Sequence, residues 1–106
     1  MKIFLSENRK VSGKEKLHFD VGDKETLHCS IHNKTEFARW VINGQKVQRN
    51  TSSSKRVKTV GDSKLVIENV QLSDGGTYEC LIEEYVHYYT VYINGRKILF
   101  NTFRRP

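Results

Sequence analysis

SDGGTYEC, residues 73–80, sets a turn signal directly before a run of two-residue alternation. Ser73, Asp74, Gly75 and Gly76 favour a turn. They lead into Tyr78, Cys80 and Ile82, which alternate with Glu79, Leu81 and Glu83. A period of two puts one set on a buried face and the other towards solvent, as a half-buried strand requires. The same pattern extends to both sides. Leu17, Phe19 and Val21 alternate with polar neighbours, as do Leu27, Cys29 and Ile31, and Ala38, Trp40 and Ile42 follow suit. Leu65 and Ile67 precede the segment, and Tyr89, Val91 and Ile93 follow it. No window of about eleven residues or more keeps a helical period. Asn43-Gly44, between VI and QKV, suits a tight hairpin, and Gly22-Asp23 and Gly61-Asp62 break other runs. Short strands at this spacing predict an all-β sandwich or barrel.

The bulk properties agree with one packed domain. A chain of 106 residues holds one core, and 37% hydrophobic with 28% charged residues is a globular composition. No stretch approaches the roughly 20 apolar residues needed to cross a bilayer. The MKIFL start has too short an apolar run for a secretory signal, so a segment of a longer chain is expected. The net charge of +6 favours acidic surroundings without naming a partner. Cys29 and Cys80 are too few and too far apart for a zinc site. They read as one disulfide or as two buried thiols.

The combination of Cys29, Trp40 eleven positions later, and Asp74, Gly76, Tyr78 and Cys80 in a D-x-G-x-Y-x-C pattern resembles the immunoglobulin superfamily. Leu65, Ile67 and Val70 match the strand before that motif, and Arg56 stands where the family often carries a basic partner for Asp74. The resemblance covers roughly residues 11–95. The cysteine spacing and the compact ending are similar to I-set modules of giant muscle scaffolds of the titin, obscurin and myosin-binding protein C kind. Two features depart from that pattern: no proline lies near the start, and RKILFNTFRRP continues past the expected end. The resemblance implies a two-sheet Greek-key sandwich with strands A, B, E and D facing C, F and G, and with G paired to F on one side and an A′ segment on the other. It also implies Trp40 packed on the cysteine pair and a Tyr78 hydroxyl bonded to upstream backbone. Residues 1–95 would form the domain, with its core from about residue 11, and residues 96–106 a linker or the start of a next module.

Such residues specify a fold, and function must come from a site. Nothing resembles a nucleophile elbow or a phosphate loop, so no enzyme, metal or cofactor is expected. His28 and His32, four positions apart on a strand, stand about 13 Å apart and cannot share one metal. His18 and His87 fit the same solvent-facing pattern. Asn33 and Asn50 begin glycosylation triplets that matter if the chain is extracellular. Lys46, Arg49, Lys55, Arg56, Lys58 and Lys64 form a basic run around strands C′ and D. It reads first as a solvated edge and second as a polyanion site. No nucleic-acid motif or membrane insertion is indicated. Alternation sends Arg39, Val41, Glu79, Leu81, Glu83, Tyr88 and Tyr92 to the outer face of the C-F-G sheet. Apolar, aromatic and arginine side chains together suit a protein partner. A short F–G hairpin around Glu84-Tyr85-Val86 argues against recognition by a loop tip. The expected function is a non-catalytic interaction and spacer module of a cytoplasmic, sarcomeric or cytoskeletal scaffold. The alternative is an extracellular adhesion or receptor domain.

Overall fold

The computed structural model describes residues 9–29, 31, 37–48 and 55–95. The tail 96–106 lies outside them, as do Asn33, Asn50, His32 and Arg49. Eight strands are present among the described residues: β1 (Lys10–Asp20), β2 (Glu25–His28), β3 (Arg39–Ile42), β4 (Gln45–Lys46), β5 (Val57–Val60), β6 (Lys64–Ile67), β7 (Gly76–Ile82) and β8 (Tyr85–Asn94). A single 3-10 turn, Leu72–Asp74, joins β6 to β7. The strands form two sheets, ordered β1-β8-β7-β3-β4 and β2-β6-β5. The chain crosses between sheets after β1, β2, β4 and β6, which gives the expected all-β immunoglobulin-like sandwich.

The first strand takes only one of the two places that the resemblance gives it, the A′ place beside strand G. β1 does not join β2 in the smaller sheet. It runs parallel to β8 along its whole length, from Lys10 beside Tyr85 to Asp20 beside Asn94. Alternation tells which side chains point inward and not which neighbour supplies the hydrogen bonds, so this pairing was not fixed by the pattern. A bulge between Val11 and Gly13 shifts the register by one residue.

The core fills the space between the sheets. Trp40 (2% exposed), Leu65, Ile67, Val70, Tyr78 and Cys80 are buried with Leu27, Phe19, Tyr89 and Val91 around them. The cysteines form a disulfide, Cys29–Cys80, with a Cα–Cα distance of 5.8 Å. Trp40 sits on β3 directly beside Cys80 of β7 and stacks against Tyr89 at 5.9 Å. Its indole nitrogen is buried with no hydrogen-bond partner among the described residues.

The turns explain two further signature residues. Asn43 (φ 48°) and Gly44 (φ 85°) take the positive angles a two-residue hairpin needs. Asn43 then reaches β7: its Oδ1 accepts from the Thr77 amide at 2.9 Å, and its Nδ2 donates to the Gly75 carbonyl at 3.3 Å. Gly76 lies beneath it at φ 138°, and a Cβ there would come within 2.1 Å of the Asn43 amide. Glycine is required at residue 76 by conformation and by contact.

Two substitutions test this packing. Trp40→Ala is expected to cost about 3–5 kcal/mol, in line with other large core deletions. Gly76→Ala is expected to cost about 1–3 kcal/mol through strain and loss of the Asn43 contacts. Denaturant melts check both, and an unchanged midpoint for either would contradict the assigned packing.

Candidate protein-binding face

The face is held by a corner built around Asp74. Its side chain, 8% exposed, accepts two hydrogen bonds from Arg56, Nη1 at 2.7 Å and Nη2 at 3.0 Å. The Gln71 amide donates to the same carboxylate at 2.7 Å. The Tyr78 hydroxyl donates to the Asp74 carbonyl at 2.5 Å, the tyrosine corner that the motif implied. Burial pushes the Asp74 carboxyl up, but Arg56 and the Gln71 amide outweigh it and hold it below the ordinary range. Burial, with the nearby Asp74 charge, pushes the Tyr78 hydroxyl up to about 12.

This corner uses part of the basic run. Arg56 is committed to Asp74, and Lys58 pairs with Glu68 at 3.4 Å. Lys46, Lys55 and Lys64 stay exposed, while Arg49 lies outside the described residues. The run is therefore not one continuous cationic strip. The Arg56–Asp74 pair is the one the resemblance implied, but nothing announced the Lys58–Glu68 pair, whose acid lies 10 positions further along the sequence.

The strand register defines the outer face of the five-stranded sheet. One row across it reads Lys14, Tyr88, Glu79, Val41 and Lys46, from β1 through β8, β7 and β3 to β4. The next row carries Val11, Val86, Leu81 and Arg39. On the other side lie Lys16 with Thr90, and then His18 with Tyr92. Tyr92 is 46% exposed and stacks on His18 at 5.1 Å. Arg39 is exposed, and Val41 and Tyr88 are half-buried.

Three expectations need correction here. Leu81 is only 5% exposed, and its neighbour Val86 only 1%, so neither is open to a partner. Alternation gives a side chain's direction but not whether something covers it. Glu83 is not on the sheet face; it belongs to the hairpin turn and has φ 57°. That turn is Glu83-Glu84, because Tyr85 already pairs with Ile82 and Val86 with Leu81. The loop is shorter than predicted and carries no glycine or asparagine to announce it.

His87 is also not solvent-facing. It lies opposite Cys80 on the inner side of β8 and is 6% exposed. Its Nε2 is 2.8 Å from Glu15 Oε2, and its Nδ1 has no partner among the described residues. Gly13 gives the ring its space, since a Cβ there would approach His87 within 2.8 Å. His18 and His28 are exposed as expected.

A groove of about 360 Å³ borders the face, lined by Arg9, Arg39, Val41, Lys46, Val47 and Leu81 among others. A second, of about 520 Å³, opens beside β4 over Ile42, Val57 and Tyr78. Among the described residues the one carboxylate lining it is Asp74, already held by Arg56.

Comparison with known proteins agrees with this architecture. The immunoglobulin-domain family model matches residues 9–83, and the chain belongs to that family. I-set membership is consistent with the match. No curated protein matches the sequence. Among solved structures, an Ig-like domain from a human cDNA is 27% identical, with a TM-score of 0.61 over 79% of this chain and 74% of that one. The Ig-like domain 714–804 of human obscurin-like protein 1 is 26% identical, with a TM-score of 0.62 over 79% and 80%. The CD2-binding domain of CD58 is 23% identical, with a TM-score of 0.60 over 76% and 53%, a likeness of fold alone. Immunoglobulin domains of this kind are typically non-catalytic and commonly bind proteins.

The Asp74 corner makes a pH prediction. Its folded-state pKa is lowered, so the stability it supplies is complete above the ordinary carboxylate value, about pH 4. That stability is lost as pH falls through the lower folded value. Thermal melts between pH 6 and 2 should therefore fall more steeply for wild type than for Asp74→Asn. Asp74→Asn itself should cost about 1–3 kcal/mol at neutral pH. Parallel pH profiles for the two proteins would contradict the assignment.

Proposed function

We propose that this domain is a non-catalytic protein-interaction and spacer module of a larger modular protein, and that it engages its partner through the outer face of the five-stranded sheet. The observation that carries this reading is the face itself. It is broad and continuous across five strands, and Tyr88, Tyr92, Val41 and Arg39 on it are residue types that anchor protein interfaces. The two-residue turn between β7 and β8 supports a flat contact rather than a protruding loop. A scaffold setting of the obscurin-like kind is supported by the likeness to the obscurin-like protein 1 domain.

A second reading, an extracellular adhesion or receptor domain, is favoured by one observation, the Cys29–Cys80 disulfide. Disulfides persist in oxidising compartments and are rare in the cytosol of most cells. Asn33 and Asn50 would then be available as glycosylation acceptors. Thiol labelling of the denatured protein from its native source separates the two settings. Two free thiols support the cytoplasmic scaffold, and none supports the extracellular domain.

The binding surface is tested by Tyr88→Lys with Tyr92→Lys. The double variant should lose binding to the native partner, by about tenfold or more, while its melting temperature stays close to wild type. Full binding by a folded double variant would place the site elsewhere.

A further inference from the structure

The charges on the outer face are not scattered evenly. Lys14 and Lys16 stand on β1, one edge strand of the five-stranded sheet. Arg39 and Lys46 stand on β3 and β4, at the opposite side. All four are exposed, and none enters an ion pair among the described residues. The two central strands, β8 and β7, place one charged side chain on this face, Glu79, beside Tyr88 and Val41. Four interstrand steps of about 4.8 Å put Lys14 about 19 Å from Lys46. The face is thus a cationic margin around a mainly uncharged centre that holds a single carboxylate.

From this arrangement, and resting on the reading that this face binds protein, we propose the partner's chemistry: a folded protein surface with carboxylates along two opposite margins and a basic or hydrogen-bond-donating group at its middle. Each part follows from matching charge to charge. Unpaired cations at a rim steer an acidic partner and reject a basic one. Glu79, half-buried in the centre, loses water when covered and needs a donor from the other side. Half-buried Tyr88 and Val41 supply the contact area that a centre requires.

Two other occupants fit less well. A linear polyanion crossing from Lys14 to Lys46 would pass over Glu79 and be repelled at the midpoint of its track. A second copy of the chain is disfavoured in both simple face-to-face arrangements. A two-fold axis along the strands sets β1 over β4, and one across them sets β1 over β1, so cation meets cation either way.

The test uses a complement made from the domain itself. Lys14→Glu, Lys16→Glu, Arg39→Glu, Lys46→Glu and Glu79→Lys together give a copy with the same shape and an inverted face. All five positions are on the surface, and a matching melting temperature confirms that the variant folds. If it does not fold, Lys14→Glu with Lys46→Glu serves in its place. Sedimentation and surface-binding measurements at 0.1 M salt should show wild type bound to the inverted copy and not to itself. Affinity should weaken by about tenfold at 1 M salt, where the screening length drops to about 3 Å. Tyr88→Ala in wild type should weaken the pair by about tenfold as well. Absence of any association between wild type and the folded inverted copy would overturn the proposal, as would self-association of wild type through this face. Heparin binding unchanged by Tyr88→Ala would overturn it in favour of a polyanion track. Failure here is distinguishable from failure of the face as a binding site, which the Tyr88 and Tyr92 lysine variants test against the native partner.

Discussion

A carboxylate that is almost removed from water must be paired, and in this domain the paired carboxylate is Asp74. Its partners are one residue distant in sequence and two close by. Arg56 lies just before β5, the Gln71 amide opens the 3-10 turn, and Tyr78 is on β7. Asp74 therefore ties the entry of the smaller sheet's edge to a central strand of the larger sheet. The Cys29–Cys80 disulfide makes a second tie between the sheets, with Trp40 packed alongside on β3. Between these two joints the inward side chains of β6 and β7 have one arrangement, and the opposite sides of their strands are turned outward by the period of two.

The strand edges are managed by equally specific contacts. With β1 given to β8, no described strand covers the outer edge of β2. On that edge the His28 carbonyl accepts a hydrogen bond from the Tyr89 hydroxyl, which reaches across from the larger sheet. The same tyrosine stacks on Trp40, so the edge contact and the core share one side chain. On β1, Glu15 faces inward at the sheet margin and meets His87, an inward-pointing charge of the kind that discourages edge-to-edge pairing. The transfer of β1 widens the larger sheet to five strands, and this width gives the proposed binding face its two cationic margins.

Much of this was legible in the sequence because it depends on local pattern. Alternation found the inward residues of most strands, and the D-x-G-x-Y-x-C motif located the corner with its tyrosine and arginine. What escaped has physical reasons. That β1 gives its whole length to β8 and none to β2 depends on backbone hydrogen bonds that side-chain polarity does not encode. Leu81 and His87 were given to solvent because a period of two assigns direction, whereas burial depends on what lies above each side chain. The Glu83-Glu84 turn uses a non-glycine residue at positive φ, which no turn dipeptide signals. Lys58 is drawn out of the basic run by Glu68, an acid ten positions away that no local pattern marks. The proposed face holds the expected Arg39, Val41, Tyr88 and Tyr92, lacks Leu81, and adds Lys14 and Lys16 from β1 and Lys46 from β4.

The central structural claim is that Asp74 is the joint through which Arg56 and Tyr78 act on the same corner, one through the carboxylate and the other through the carbonyl. A double-mutant cycle on Arg56→Met and Tyr78→Phe, read by equilibrium denaturation at pH 7, measures this most directly. The two side chains share Asp74 as a partner, so the effects should be non-additive, with a coupling energy of about 0.5–3 kcal/mol. Effects that add within about 0.3 kcal/mol would show two independent contacts and contradict the account.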